Sequence, residues 1–187
     1  PNLVNYLFEI EDNEPGGGKC ALVFEYCNGR DLKSLLESCL DARRSLGAFD
    51  VLSVALQLAR ALAALKSARI LHGDLALRNV FLHFDEAALE LRVKLGDFGL
   101  CQDLGDCKTT EAQPKYSATL APEIGAAPYD EAADVYTLAV LLVELLTGAF
   151  APSESTSDDF CRDLAAVVAR AEADAEPLLP LPLLQPL

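Results

Sequence analysis

Leu71-His72-Gly73-Asp74-Leu75-Ala76-Leu77-Arg78-Asn79, then Gly96-Asp97-Phe98-Gly99, then Ala121-Pro122-Glu123 follow one another along the chain and constrain its fold more than any other feature. An Asp five residues before an Asn, with a second Asp beyond a short predicted hairpin, brings one proton-handling carboxylate and two metal ligands to a single nucleotide. A carboxylate close to a His on a loop can orient a hydroxyl and take its proton late in transfer, and Asn and Asp oxygens are hard ligands suited to magnesium. Asp74 reads as the proton acceptor, and Asn79 and Asp97 as the metal ligands. A lone Asp is more often a turn or cap residue. Asp74, Asn79 and Asp97 in this array point to phosphoryl-transfer chemistry.

The length of 187 residues, 51% of them hydrophobic, allows one domain with a sizeable core. A net charge of −14, from 15 basic and 29 acidic residues, argues against nucleic acid or anionic lipid as the main partner, because both need a surplus of Lys and Arg. A nucleotide bridged by magnesium remains compatible. The longest nearly apolar segment, 138–146, is broken by Glu144 and is about half the roughly 20 residues of a spanning helix, so no membrane span is expected. The chain starts at Pro1, has no Met and shows no signal peptide, which suggests a fragment and a cytoplasmic location, on the inner side if part of a receptor. Cys20, Cys27, Cys39, Cys101, Cys107 and Cys161 form no C-x-x-C pair, so reduced, mostly buried thiols are expected. With only His72 and His83 as imidazoles, a zinc site is not.

Residues 3–10 and 20–26 are apolar, β-branched and aromatic, and are predicted to pair as strands across the Gly-rich loop 11–18. Asp31 is predicted to cap a short helix to about Leu40, and Asp50 to open a long one to about Ser67 with Val51, Val54, Leu58, Leu62 and Leu65 on its apolar stripe. Residues 70–71, 80–83 and 91–95 are short strand candidates with a hairpin tip at 84–90, which leaves the chemistry-bearing residues on loops between rigid pieces. Asp130 is predicted to cap a helix to Thr147 that is apolar all round and therefore buried, with Gly148 past its end. Residues 158–173 read as an amphipathic helix and 177–187 as an extended or disordered Pro/Leu tail.

These motifs, in this order, resemble the large lobe of a eukaryotic-type protein kinase from about residue 1 to about residue 170. Pro1-Asn2-Leu3-Val4 is similar to the entry to the fourth strand, and Leu22 to Leu32 to the fifth strand, hinge and following helix. His72 to Asn79 resembles the catalytic loop, Asp97-Phe98-Gly99 and Ala121-Pro122-Glu123 the ends of the activation segment, and Asp134 to Ala139 the start of the central helix. The resemblance implies an α+β fold with a partial small-lobe hairpin and hinge at 1–27, a mostly helical large lobe at 28–176 and a tail at 177–187. It also implies ATP and magnesium as cofactors and a protein as substrate. By the same resemblance the backbones of Glu25 and Cys27 bind adenine, Phe24 is the gatekeeper, Asp31 contacts ribose, Phe81 floors the adenine pocket and Arg78 belongs to the catalytic loop. Ala76 in place of the usual serine/threonine-kinase Lys, with Arg78 before Asn79, resembles the tyrosine-kinase pattern and favours tyrosine as the acceptor.

Several departures qualify that picture. Gly73 stands where an Arg commonly pairs with a phosphorylated activation segment, so activity is expected not to require modification of Thr109, Thr110 or Tyr116. The Gly-rich phosphate loop, the strand Lys and the helix Glu of the family do not occur in these residues, nor does a partner Arg for Glu123, so weak or no transfer is expected from this fragment alone. Two other readings compete. One is a pseudokinase scaffold. The other is a small-molecule kinase of the aminoglycoside or choline type, which shares the His-Gly-Asp…Asn form but lacks Asp-Phe-Gly and Ala-Pro-Glu.

Overall fold

The computed structural model describes residues 1–11, 20–104, 121–124, 130–148 and 150. Among the described residues, three α-helices and three small antiparallel sheets form the α+β fold the sequence implies. The expectations for residues 105–120, 158–173 and 177–187, and for Cys107 and Cys161, fall outside the described residues.

Strands β1 (Tyr6–Glu11) and β2 (Cys20–Phe24) pair antiparallel, with a register shift between Tyr6 and Phe8. The predicted first strand is shorter than its sequence run, because residues 2–4 pair elsewhere. Leu3 bridges Leu95 in parallel, Leu95 N–H donates to the Asn2 carbonyl at 2.9 Å, and the Val4 N–H donates to the Leu95 carbonyl at 2.8 Å. The buried Asn2 amide donates to Gln57 and to the Val93 carbonyl, both at 2.9 Å, which anchors the hairpin to the main body.

Helix α1 (Leu32–Asp41) starts where predicted: Asp31 has an extended backbone and its carboxylate accepts the Ser34 N–H at 2.8 Å. Leu32, Leu36 and Cys39 turn inward. Helix α2 (Ala48–Ser67) begins two residues before the predicted Asp50. Asp50 is its third residue, and its carboxylate reaches back to accept the Gly47 N–H at 3.3 Å, the one half of a capping box that a glycine cap allows. Val51, Val54, Leu58, Ala61 and Leu65 are buried along one stripe, against α3 and β5. Among the described residues α2 is also the one helix long and apolar enough to cross a membrane, a longer candidate than the segment 138–146 considered above. Its buried stripe and the Gln57 bonds to Asn2 and Val93 are those of a core helix.

Strands β4 (Val80–Asp85) and β5 (Glu90–Leu95) pair in unbroken register from Val80↔Leu95 to Asp85↔Glu90. The tip is therefore only residues 86–89, tightened by the Asp85 carboxylate, which accepts the Ala87 and Ala88 N–H groups at 3.1 Å each. On the outer edge of β4 the Asn28 side chain exchanges two bonds with the Phe84 backbone, while the Gly29 N–H and the Arg30 carbonyl bracket Leu82 at 2.8 Å each. A β-carbon at Gly29 would lie 2.9 Å from Leu82 Cβ, so this close approach requires glycine. Strands β3 (Ile70–Leu71) and β6 (Gln102–Asp103) form a minimal third pair.

Helix α3 (Ala132–Thr147) has its boundary one residue later than predicted: Asp130 accepts the Ala132 N–H at 2.8 Å, and Glu131 is the boundary residue. Gly148, at φ +67°, ends it as predicted. The expectation of burial on all sides holds only in part. Val140, Leu141 and Leu145 are buried, but Val135 is 58% and Leu146 52% exposed, and the inward face also carries Asp134, Thr137 and Glu144. Nor are the thiols mostly buried: of the four described, Cys39 is buried, Cys27 and Cys101 are half-buried and Cys20 is exposed. Leu58, fully buried at the crossing of α2 with the rest of the core, is the clearest test of this packing. Leu58→Ala is expected to lower unfolding free energy by about 2–5 kcal/mol in urea titration.

Candidate active site

The loop after β3 owes its path to one carboxylate. Asp134, near the start of α3 and 5% exposed, accepts the His72 N–H at 2.8 Å and the Gly73 N–H at 3.0 Å, one on each oxygen. The fully buried His72 ring accepts the Asp74 N–H on Nδ1 at 3.3 Å, so its proton resides on Nε2 and is donated to the Gly96 carbonyl at 3.1 Å. That ring therefore ties the Asp74 loop to the Asp97 loop. Phe98 packs edge-on against it, with centroids 5.6 Å apart. Gly73 has φ +73°, and a β-carbon there would meet the Leu100 carbonyl oxygen at 3.0 Å.

Residues 77–79 form a single 3₁₀ turn that folds Arg78 and Asn79 back over Asp74. One guanidinium nitrogen of Arg78 donates to both Asp74 oxygens at 2.8 Å, and the Asn79 amide donates to the Asp74 carbonyl at 2.8 Å and to Oδ2 at 3.0 Å. A carboxylate offers about two acceptor sites per oxygen. Oδ2 is thus filled, and Oδ1 retains room for one further donor, such as an acceptor hydroxyl. Because Nδ2 of Asn79 is consumed, its Oδ1 is the atom left for a ligand. Asp97 sits in the left-handed region at φ +62°, held by the Gly99 N–H at 3.4 Å.

A cleft of about 1120 Å³ opens beside this loop. Glu25, Cys27, Asp31, Asn79, Phe81 and Asp97 all line it, as does Phe24, so the structure gathers the predicted binding residues on one cavity. Asp74 and Arg78 are not in the wall; they reach it through Asn79. Gly96 permits the floor, since a β-carbon there would lie 2.9 Å from Val4 and 3.0 Å from the Phe81 ring. At the hinge, the Glu25 N–H is taken by the Asn5 carbonyl at 2.9 Å, so the backbone group Glu25 can offer is its carbonyl. Both carboxylate oxygens of Asp31 are engaged by Ser34, at 2.8 and 3.1 Å, so any ribose contact shares them with the helix cap. Burial raises the pKa of Cys27, and pushes that of Cys101 up to about 11 with help from Asp134 and Asp97. Both stay thiols at neutral pH and are poor nucleophiles or metal ligands.

Asn79 and Asp97 suit magnesium: two hard oxygen donors on one cleft wall. No group of three or more His, Cys, Asp or Glu able to hold an ion occurs among the described residues. An ion here would complete its shell with phosphate oxygens and water, the usual condition of magnesium beside a nucleotide.

Sequence reasoning missed three contributors. Asp134 was legible only as part of a helix start, although an acid within so apolar a helix is itself a signal of a buried role. Lys94 looks like an ordinary alternating strand residue, yet it is 5% exposed and its ammonium donates to Glu25 at 2.6 Å. That pair links the hinge to the strand that runs into Asp97. Arg30 also lines the cleft.

A hinge-bordered cleft with a carboxylate-held loop and two oxygen ligands is the architecture of a protein-kinase large lobe. The family model for protein tyrosine and serine/threonine kinases matches residues 1–176, and the chain belongs to that family. It is similar to the probable serine/threonine-protein kinase zyg-1 of Caenorhabditis elegans, with 32% identity over 76% of this chain and 19% of that protein. Similar matches are human serine/threonine-protein kinase Nek2, with 35% identity over 78% of the chain and 33% of Nek2, and serine/threonine-protein kinase ATG1b of Arabidopsis thaliana, with 32% identity over 79% and 20%. The chain thus spans a fifth to a third of these relatives. All three are serine/threonine kinases, so they lend no support to the tyrosine preference read from Ala76 and Arg78.

The hinge pair yields a test. Burial raises the pKa of Glu25, but the Lys94 ammonium and the Asn5 N–H outweigh it and hold the carboxyl below its ordinary 4.5. A carboxyl lowered on folding stabilises the fold above its unfolded pKa and loses that contribution as pH falls through the folded value. The stability difference between wild type and Glu25→Gln is expected to be constant near neutrality and to shrink below about pH 4.5 in urea titrations. A difference that stays constant to about pH 3 would contradict this account.

Proposed function

We propose that this chain carries the catalytic loop and much of the nucleotide cleft of a kinase that transfers the γ-phosphoryl group of ATP to a serine or threonine hydroxyl of a protein. The observation that carries the reading is the joining of Asp74, Asn79 and Asp97 beside one cleft whose other border is the Glu25–Cys27 hinge. The serine/threonine choice follows the relatives. It also accords with Arg78, whose guanidinium is spent on Asp74 instead of projecting toward a phenolic substrate.

The Glu25 carbonyl and the Cys27 N–H would pair with the adenine edge, and Phe81 would lie against its face. Magnesium, when bound, neutralises phosphate charge. Asn79 Oδ1 and the Asp97 carboxylate would hold it. Asp74 would orient the acceptor hydroxyl through Oδ1 and receive its proton, with Arg78 and Asn79 fixing the carboxylate plane. Such catalysis is mostly positioning and electrostatics. That accords with a site whose carboxylate and His72 are held by several bonds each.

Asp74→Asn is expected to cut peptide phosphorylation by about 10²–10⁴-fold while leaving magnesium-ATP affinity within a few-fold. Asp97→Asn is expected to weaken magnesium-dependent nucleotide binding itself. Assays on matched serine, threonine and tyrosine peptides test the acceptor, and a preference for tyrosine would reverse that part of the proposal. If wild type shows no saturable calorimetric binding of ATP, the scaffold reading takes its place.

A further inference from the structure

Three carboxylates line the cleft: Glu25, Asp31 and Asp97. Glu25 is paired with the Lys94 ammonium, and Asp97 stands with Asn79 at the wall that suits a metal. Asp31 borders the floor instead. Its backbone bridges Phe81 antiparallel, and the Leu82 N–H donates at 2.8 Å to the carbonyl of Arg30, the residue before it. Arg30, in the left-handed region at φ +62°, carries the chain from the hinge into α1. With a base against Phe81 and phosphates at Asn79, two residues earlier in the chain, and at Asp97, the part of a nucleotide that passes beside Asp31 is its sugar.

Ser34 decides which acceptor sites of Asp31 remain. It is half-buried, lines the cleft itself and donates twice, its N–H to Asp31 Oδ1 at 2.8 Å and its hydroxyl to Oδ2 at 3.1 Å. A carboxylate oxygen offers about two acceptor sites, so one is left on each. The N–H bond is the helix cap, and the hydroxyl bond is not needed for it. What the hydroxyl adds is a fixed carboxylate plane. Two neighbouring oxygens with one remaining site each are the complement of two hydroxyls on adjacent carbons. We propose that Ser34 is a positioning residue that determines sugar specificity: by holding Asp31 in this plane it makes the cleft select nucleotides with an intact ribose diol over deoxyribose forms. The inference rests on the nucleotide reading given under Proposed function. Hydrogen bonds to an ionised acceptor are among the strong ones, so each missing hydroxyl carries a measurable penalty.

The test is calorimetric titration of the full 187-residue chain with magnesium-ATP and its 2′-deoxy and 3′-deoxy forms, in wild type, Ser34→Ala and Ser34→Thr. Wild type is expected to bind either deoxy form about tenfold more weakly than ATP. Ser34→Ala, which keeps the capping N–H, is expected to weaken ATP until that preference falls to about threefold or less, with both deoxy forms within about twofold of wild type and the thermal midpoint nearly unchanged. Ser34→Thr retains a hydroxyl and is expected to keep the preference. A Ser34 that serves only the helix would instead move the midpoint and affect all three nucleotides alike, which overturns the assignment. Wild type that binds none of the ligands would overturn the nucleotide reading and this inference with it. Wild type that binds all three equally, or a preference that survives intact in Ser34→Ala, would overturn the Ser34 assignment alone.

Discussion

The site hangs on a buried carboxylate that stands outside the cleft lining. Asp134 takes two successive backbone N–H groups, those of His72 and Gly73, and so dictates where the chain turns before Asp74. Unpaired, either amide or the acid itself would be costly in so dry a location. Satisfied together, they define one path for the loop. His72 extends the same logic: with Nδ1 occupied by Asp74 N–H, it donates to the Gly96 carbonyl and ties together the two loops that carry Asn79 and Asp97. The chemistry-bearing groups thus inherit their geometry from backbone amides and core side chains.

Electrostatics divides the cleft into settled and unsettled charges. The Lys94–Glu25 pair is short, largely screened from water and carries an additional bond from Asn5, so it reads as a brace between hinge and core. A buried pair of this sort is weak grounds for stability but sensitive to loss of either partner. The Asp74–Arg78 pair is more open, with the Arg78 side chain 59% exposed, and its value lies in orientation.

Much of this was legible in sequence because the decisive groups act within a few residues of one another. Asp74, Arg78 and Asn79 are joined by a single turn, and Asp31 caps a helix three residues ahead, so spacing alone predicts them. The misses are of two kinds. Asp50 was read as opening its helix and Asp130 as a cap, yet each stands displaced by one to three positions from the helix boundary, because an acid can bond an early N–H from several registers. Asp134 and Lys94 act across 61 and 69 residues of chain, and no local pattern announces a partner so distant. Arg30 was hidden for another reason: left-handed backbone at an arginine has no composition signal.

The two walls of the cleft are unequal in how they are held. The floor, with Phe81 and Gly96, belongs to β4 and β5, packed on α2 and threaded by Asn2 and Gln57. The upper wall, with Leu22 and Phe24, belongs to a two-stranded ribbon whose Tyr6, Leu7, Phe8, Ile10 and Leu22 are all more than half exposed. Such a ribbon has little cohesion of its own. It is moored at Asn2, Val4 and Glu25. Breathing of the roof is therefore energetically separable from melting of the base, and the entrance to the cavity can widen while the catalytic loop keeps its shape.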